Sequence, residues 1–387
     1  MLIGALVAVV FVGFEWVVNH GTKFVWDDVF GTDEVRWRVV PLAIGASILF
    51  SLLLRALGQP RVGVVHTDPL AGGEDPPPAT LNSIVVVLVV GAASLLAGAS
   101  LGPEAALVAA SAAIGAWIAG SGNRKVLMLA AVGALLIVFL GSLVPLLLPP
   151  LIMYRQQKRL VPSALLVVVL AGLTAYGVLY LIKGHTEGYG SIPSGTHFDV
   201  GDGIAAFILG AGGAIVGGLL KWSVKDASVR TARIDARWPW LVSAMLFGAV
   251  IGVLYLIGGE SVQFSGSEGS QMLVADHAGD TALALAGLLV VKLLVTGWSL
   301  AAGYRGGLVF PSIYGGVALS LFVASIDSNL NGTGAAIGTI AGLLGAMTGP
   351  VPGLIMLVSL LPFKLIWLAL LGMAGAFVAG RVGKLRT

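Results

Sequence analysis

Long uninterrupted apolar segments recur along the whole chain and are separated by short polar stretches. They include residues 2–18, 164–182, 203–220 and 282–300. Apolar segments of about 17–25 residues are long enough to cross the hydrocarbon core of a bilayer as helices. A membrane β-barrel would instead show short strands in which apolar and polar positions alternate. The pattern therefore predicts an all-α polytopic membrane protein.

Glycine and proline interrupt several of these apolar segments, and the interruptions recur in the same order. In the first half, residues 98–118 begin with a glycine-interrupted stretch that leads into a helix of small residues, and residues 133–153 form a proline-broken helix. In the second half, residues 302–320 and 342–360 repeat that order. Paired broken segments in two halves indicate a transport site between inverted repeats. We therefore expect an inverted-repeat fold with many tilted and broken helices. Chance similarity between helices rich in glycine and leucine is the alternative.

The polar residues near the middle of the chain suggest where the two halves meet. We expect a first membrane half over residues 1–185, a linker over 186–202, a second membrane half over 203–387, and no soluble regulatory domain. The apolar start of the chain lacks a charged leader and a small-residue cleavage site, so we interpret it as the first membrane helix rather than a signal peptide.

Composition narrows the function class. Only 11% of the 387 residues are charged. The sequence has no cysteine, and this excludes a thiolate metal site and a thiol nucleophile. We see no nucleophile–base pair and no cluster of metal ligands, so we expect neither an enzyme nor a metal or organic cofactor. Short basic stretches at residues 155–159, 221–237 and 381–386 are typical of the cytoplasmic side of a membrane protein. We expect a multi-pass protein of the cell inner membrane. The net charge of +3 gives no indication of nucleic acid.

One carboxylate stands alone in apolar sequence. Glu104 is the only acidic residue between positions 76 and 186. An ionisable residue inside a membrane segment is a functional hypothesis by default, the alternative being a structural cap at a helix start. Helices that begin inside the membrane, after Gly102 and Gly307, would present unpaired N–H groups and the positive end of the helix dipole. Two such helix starts facing one another would suit a small anion.

Several motifs resemble one known family. "GPE" at residues 102–104 and "GGLVFP" at 306–311 are similar to the loops GxEGP and GxFxP of the CLC family of chloride channels and proton/chloride antiporters. In the same order, residues 221–234 resemble the family's cytoplasmic loop between the halves. Residues 264–270 resemble its Ser-Gly-rich segment, and residues 342–355 resemble its later glycine- and proline-containing run. The resemblance covers nearly the whole chain.

The resemblance implies a homodimer in the bilayer with one anion pathway per subunit, carrying chloride or another small anion. Coupling of the anion to protons stays open. It implies that Glu104 is the gate, which occupies an anion site when ionised and leaves that site when it swings away or is protonated. The anion-binding residues that it implies are Gly102, Pro103, Glu104, Ala105, Ala106, Gly307, Leu308, Val309, Phe310 and, as a hydroxyl donor, Thr67.

The chain departs from the family pattern at several points. Ala105 and Ala106 replace the family's Gly-Pro, and the last tyrosine is Tyr314, so the family's inner tyrosine is missing. The family antiporters' second glutamate aligns with Tyr154 or Arg155, which favours a passive conductor. A "GSIP" sequence at residues 190–193 lies in the expected linker, and we interpret it as an exposed turn. A proton-coupled antiporter and a membrane scaffold without a working pathway are the alternative functions.

Two further charged residues lie within apolar segments. We expect Glu15 to lie near a membrane interface. For Lys292, a structural role and an anion-attracting role are both open, and the first is favoured.

Overall fold

The computed structural model describes residues 1–31, 36–62, 79–120, 122–157, 161–184, 200–276, 280–327 and 332–384. The regular secondary structure of these residues is helical, which confirms the all-α prediction. The α-helices are α1 (Leu2–Lys23), α2 (Val39–Ala56), α3 (Leu81–Leu96), α4 (Glu104–Ala119), α5 (Arg124–Leu140), α6 (Leu148–Gln157), α7 (Pro162–Lys183), α8 (Val200–Arg237), α9 (Trp240–Gly258), α10 (Ser267–Asp276), α11 (Ala282–Ala301), α12 (Val309–Ile326), α13 (Thr333–Thr348), α14 (Pro350–Ser359) and α15 (Ile366–Lys384).

Eight helical segments among the described residues are long and apolar enough to cross a membrane. They contain α1, α2, α7, α8, α9, α11, α12 and α15. The apolar helices α3, α4, α13 and α14 have 10–17 residues each, which is shorter than a full crossing needs. Short apolar helices beside full-length ones are the arrangement that the glycine and proline interruptions predict. The chain is therefore a multi-pass membrane protein.

Contacts between Cα atoms divide the chain into two compact units. The first comprises Met1–Gly21, Val65–Ala92 and Pro103–Tyr189, and the second comprises Thr22–Val64, Ala93–Gly102 and Gly190–Thr387. One boundary between the units falls between Gly102 and Pro103, within the first signature motif. The predicted division into two inverted repeats concerns how the halves are related by symmetry, and it stays a prediction.

Helices within the first unit approach one another closely at glycines. A Cβ atom on Gly4 of α1 would lie 2.0 Å from the carbonyl oxygen of Ala171 in α7. One on Gly115 of α4 would lie 2.4 Å from the carbonyl oxygen of Leu127 in α5. Real Cβ contacts are never this short, so these positions accept only glycine without a shift of the backbone. Small residues let membrane helices pack backbone against backbone.

The second unit uses the same device around α8. A Cβ atom on Gly210 of α8 would lie 2.1 Å from the carbonyl oxygen of Gly372 in α15, and one on Gly342 of α13 would lie 2.2 Å from that of Gly210. Three helices therefore meet at one glycine. The high glycine content of the sequence is explained largely by packing of this kind.

The predicted helix breaks are present in both halves of the sequence. The helix α5 ends at Gly141 in the left-handed conformation (φ 62°), and a 3-10 turn, Val144–Leu147, leads into α6. The helix α13 ends at Gly349 (φ 92°), and α14 begins directly at Pro350. Both breaks combine a glycine, which adopts positive φ without strain, with a following proline, which cannot continue the previous helix.

The structure differs from the sequence prediction at residues 221–234. We expected a cytoplasmic loop there, but these residues are helical and continue α8 to Arg237, which gives that helix 38 residues. The stretch contains Lys and Arg together with Ala and Val, and its Asp226 and Arg230 form an i,i+4 ion pair at 2.8 Å. Such pairs stabilise an exposed helix, so the polar composition does not end it.

Candidate functional site

Two backbone segments of the second unit meet at Gly102 and Gly307. The N–H of Gly102 donates to the carbonyl of Gly307 at 2.9 Å, and the N–H of Gly307 donates to the carbonyl of Gly102 at 2.7 Å. This antiparallel bridge is isolated and belongs to no strand. It joins the two loops that carry the signature motifs.

The loop before Gly102 is anchored by two aromatic side chains. Trp26 donates from its indole N–H to the carbonyl of Leu96 at 2.9 Å, and its ring occupies the space where a side chain on Gly98 would lie. Gly98 has φ 83°, which favours glycine. Tyr255 of α9 donates its buried hydroxyl to the carbonyl of Gly98 at 2.9 Å and accepts from the N–H of Phe264 at 2.9 Å. This turn is therefore held on both sides.

Buried hydroxyl groups continue the anchoring towards the bridge. The N–H of Ser100 donates to Oγ of Ser299 at 3.1 Å, and its own Oγ lies 3.2 Å from Oγ1 of Thr296. All three hydroxyl residues are fully buried. Since a buried polar group without a partner is costly, these pairs fix the loop of residues 98–102 on α11.

The second loop connects α11 to α12 and is held at each step. The N–H of Tyr304 donates to the carbonyl of Ser299 at 3.0 Å, and the N–H of Arg305 donates to Oγ of Ser94 at 2.8 Å. A Cβ atom on Gly306 would lie 2.5 Å from Cβ of Leu101 and 2.9 Å from the carbonyl oxygen of Gly102. Only a glycine lets the two loops approach closely enough to form the bridge.

Glu104 is the first residue of α4 and is buried, with 6% of its surface exposed. Pro103 caps the helix, and the N–H of Leu107 donates to the carbonyl of Pro103 at 3.1 Å. The amides of Glu104, Ala105 and Ala106 precede this first intrahelical bond, as the first amides of a helix do. The sequence expectation that a helix begins at this motif is confirmed.

The first turn of α4 is packed tightly within its own unit. A Cβ atom on Gly91 of α3 would lie 2.4 Å from Cβ of Ala106. The alanine that replaces the family's proline after the glutamate is therefore matched by a glycine on the neighbouring helix. Ala106 is buried in this contact, with 5% of its surface exposed.

The helix α12 begins in the same manner. Leu308 caps it, Pro311 lies in its first turn, and the N–H of Ser312 donates to the carbonyl of Leu308 at 3.0 Å. The amides of Val309 and Phe310 lie in this first turn. Both signature motifs therefore place the start of an apolar helix directly after the Gly102–Gly307 bridge.

Comparison with known proteins decides the family. Residues 46–381 match the sequence profile of the voltage-gated chloride channels. The chain belongs to the voltage-gated chloride channel family. Its fold agrees with that of solved CLC proteins: a slow cyanobacterial Cl⁻/H⁺ antiporter has a TM-score of 0.79 at 18% identity over 99% of this chain and 93% of that one. A CLC-type fluoride/proton antiporter has a TM-score of 0.76 at 16% identity, with coverages of 98% and 94%.

Curated relatives of this CLC chain match over a shorter stretch. The protein YfeO of Escherichia coli O1:K1 (APEC) is 38% identical over 76 residues, which is 20% of this chain and 18% of YfeO. The same values hold for YfeO of Shigella boydii serotype 18. The match thus spans less than a fifth of these relatives' length. A eukaryotic CLC transporter is similar in fold over 98% of this chain and 70% of its own length, with a TM-score of 0.70 at 14% identity.

Not every residue expected at the CLC anion site can serve as an amide donor. The N–H groups of Gly102 and Gly307 are used in the bridge, and Pro103 has no N–H. Thr67 and the "GSIP" sequence lie outside the described residues. Among the described residues, no group of three or more His, Asp or Glu side chains is arranged to hold a metal ion.

Lys292 lies near the middle of α11 and is fully buried. Its ammonium donates to the carbonyls of Val262 and Phe264 at 2.9 and 2.8 Å, and it lies 5.0 Å from the centroid of the Tyr314 ring in α12. These contacts support the structural role that the sequence analysis favoured.

The second charged residue within an apolar segment, Glu15, forms an ion pair with Lys183 at 2.5 Å, near the end of α7.

Arg61 and Arg305, which the sequence analysis missed, each donate a hydrogen bond to the loop that carries the other. Arg61 donates from Nε to the carbonyl of Ala302 at 3.0 Å, and Arg305 donates from Nη2 to the carbonyl of Pro60 at 2.7 Å. A Cβ atom on Gly303, which has φ 84°, would lie 1.8 Å from the carbonyl oxygen of Arg61. Burial lowers the pKa of both guanidinium groups, and the charge of Arg61 lowers the pKa of Arg305 further. Arg305 therefore lies against the loop that carries Arg61.

Proposed function

We propose that this CLC protein conducts small anions, with chloride as the principal ion, across the membrane under the control of Glu104. One observation supports the proposal above all others. A buried carboxylate begins α4 two residues after Gly102, whose backbone is bonded to that of Gly307 at the start of the second signature motif. The amides of the first turns of α4 and α12 offer partial positive charge to an anion without a full charge in the membrane.

The proposed gate works by competition. An ionised Glu104 carboxylate and a chloride ion are both anions that a helix N-terminus favours, so they compete for the same amides. Protonation of the carboxylate, or its rotation away, would free those amides for chloride. The anion-coordinating amides that we propose are those of Glu104, Ala105 and Ala106 in α4, and of Leu308, Val309 and Phe310 at the start of α12, with Thr67 as a candidate hydroxyl donor.

The test is anion flux in liposomes that contain the purified protein. We expect the wild type to release chloride at a rate that changes with pH, and Glu104→Gln to show a rate without that pH dependence. Glu260→Gln, which neutralises an exposed acid, is the matched control and should behave as the wild type. Identical flux of the wild type and Glu104→Gln throughout pH 4 to 8 would contradict the gate assignment. Bromide, nitrate and fluoride in the same assay give the preference among anions.

Proton-coupled antiport is the second candidate function. It is supported by the names of two structural neighbours, which are a Cl⁻/H⁺ antiporter and a fluoride/proton antiporter. Against it, the position expected for the inner proton-relay acid holds Tyr154 or Arg155, which are both exposed. The measurement is the reversal potential under opposed chloride and proton gradients. A reversal potential that stays at the chloride equilibrium value whatever the pH gradient excludes coupling.

We propose further that the protein acts as a homodimer in the cell inner membrane. Light scattering of the purified protein, corrected for detergent, should give twice the chain mass of 39.5 kDa. A mass of one chain would contradict the dimer. Wild-type protein that releases no halide and no nitrate would favour the remaining alternative, a membrane scaffold without a working pathway.

A further inference from the structure

Arg61 and Arg305 differ in how many hydrogen bonds their guanidinium groups donate. A guanidinium has five N–H donors. Arg61 makes four hydrogen bonds, to the carbonyls of Ala302 and Ser47 and to the hydroxyls of Ser47 and Ser51, and it is packed against aromatic rings. The guanidinium of Arg305 makes a single hydrogen bond, to the carbonyl of Pro60, among the described residues. Most of its donors are thus not used by the described residues.

The position of Arg305 is fixed although its side chain is only partly buried. Its backbone N–H is held by Ser94 at 2.8 Å, and its guanidinium by the carbonyl of Pro60 at 2.7 Å. It immediately precedes Gly306, whose Cβ position is occupied by the first signature loop. A preorganised guanidinium with free donors is a suitable ligand for an anion, because little side-chain freedom is lost on binding.

Among the described residues, two cations lie in neighbouring loops at Arg305 and form no ion pair with a carboxylate. Arg61 is close enough to lower the pKa of Arg305, and no acidic side chain of the described residues forms an ion pair with either arginine. Burial lowers the pKa of Arg61; Tyr304 raises it, and Asp235 in α8 raises it to a smaller extent. Arginine stays protonated in proteins. Since Arg305 is bonded to the residue that precedes Arg61, an anion beside Arg305 would be attracted by both charges.

We propose that Arg305 binds a small inorganic anion, such as a halide or nitrate, beside Gly306 and holds it at the approach to α12. Arg61 raises the local potential but is too fully bonded to be the ligand itself. This inference rests on the proposed function for its role in transport. The binding itself is a separate property of the purified protein.

The experiment compares Arg305→Gln with Arg305→Lys, which keeps the charge, and with Arg55→Gln as a matched control. Arg55 is an exposed cation near the end of α2 that stacks on Trp240, 5.2 Å from the ring centroid. Bromide binding to the purified full-length protein is measured by calorimetry, and chloride flux in liposomes is measured at a series of chloride concentrations. Thermal stability and gel filtration are recorded for each variant.

We expect Arg305→Gln to weaken bromide binding about fivefold and to raise the half-saturating chloride concentration by the same factor. This is the effect of one unit charge at about 4 Å in a largely hydrated setting. The maximal rate should stay within about twofold. Arg305→Lys and Arg55→Gln should match the wild type. The difference between wild type and Arg305→Gln should shrink at high ionic strength, because salt screens the charge.

Two results would overturn the inference. One is unchanged bromide affinity in Arg305→Gln. The other is a lower maximal rate and lower thermal stability with an unchanged half-saturating concentration, which would show that Arg305 only fastens the Pro60 loop. If Arg305→Gln does not fold, the wild type decides: a half-saturating concentration independent of ionic strength contradicts the proposal. Wild-type protein that binds bromide but carries no flux would refute the proposed function and leave this site standing.

Discussion

The ammonium of Lys292 donates to the carbonyl of Phe264 at 2.8 Å, and Phe264 is the one non-glycine residue in the described part of the chain with positive φ, at 50°. A side chain in the left-handed region is held there by its surroundings, since the conformation is unfavourable for most residues. The N–H of the same residue donates to Tyr255, whose hydroxyl also anchors Gly98. Lys292 and Tyr255 therefore hold one turn from its two sides, and that turn supports the first signature loop.

Replacing Lys292 with Met should destabilise the protein. The carbonyls of Val262 and Phe264 would lose their common donor while they stay buried, which costs about 1–3 kcal/mol. Removal of a buried charge offsets part of this cost, so the loss should lie at the lower end. Thermal unfolding in detergent measures it. Lys292→Arg should recover less than half of the stability that Lys292→Met loses, because the fully buried site has no room for a guanidinium. Unchanged stability of Lys292→Met would contradict the structural role.

Tyr255→Phe removes one hydroxyl and two hydrogen bonds. The carbonyl of Gly98 and the N–H of Phe264 lose a partner in a fully buried site, and we expect a loss of about 1–3 kcal/mol. Because Tyr255 and Lys292 both hold Phe264, the double variant should lose less than the sum of the single variants. Additive losses would show that the two side chains act independently.

Gly306→Ala tests the close approach of the two signature loops. The added methyl group would lie 2.5 Å from Cβ of Leu101, so the Gly102–Gly307 bridge should open, with a loss of about 1–3 kcal/mol and of most anion flux. Gly287→Ala is the control, because a Cβ atom there meets nothing within 4 Å. Normal flux in Gly306→Ala would mean that the bridge is not required for the pathway.

Gly91→Ala tests the packing of the α4 start. Its methyl group would lie 2.4 Å from Cβ of Ala106, which should push the first turn of α4 away from α3 and change the pH dependence of flux as Glu104 shifts. Gly177→Ala in α7, where a Cβ atom has open space, should have neither effect. If both variants match the wild type in thermal stability and flux, the first turn of α4 does not depend on this contact.

The helices and their breaks could be predicted from the sequence because both are local properties. Apolar length marked the membrane helices, and a glycine next to a proline marked the breaks at Gly102 and Gly349. A glycine pair followed by Pro311 marked the break at Gly306. The expectation of a loop at residues 221–234 came from the family resemblance and was wrong, because these residues continue α8. In that stretch the residues form helix as readily as loop, and polarity alone does not distinguish a helix outside the membrane from a turn.

The contacts that fix the site could not be predicted, since they join residues far apart in the chain. Arg305 immediately precedes the GGLVFP motif, but its partner Pro60 is 245 residues away. The anchoring hydroxyl of Tyr255 and the indole of Trp26 look like ordinary interfacial aromatic residues in the sequence. The use of the Gly102 and Gly307 amides in a bridge likewise follows from the pairing of two loops, which no motif reveals.

The bond from Arg61 to Ala302 has a consequence for biosynthesis. The two residues are 241 positions apart, so at about 5–20 residues per second Arg61 leaves the ribosome about 12–50 seconds before its acceptor. During this interval a guanidinium that ends up buried must stay hydrated or at the lipid surface. The segment around Arg61 can therefore dock only after α11 has been inserted. The loop that carries Arg61 therefore reaches its final contacts only after about three quarters of the chain has been made.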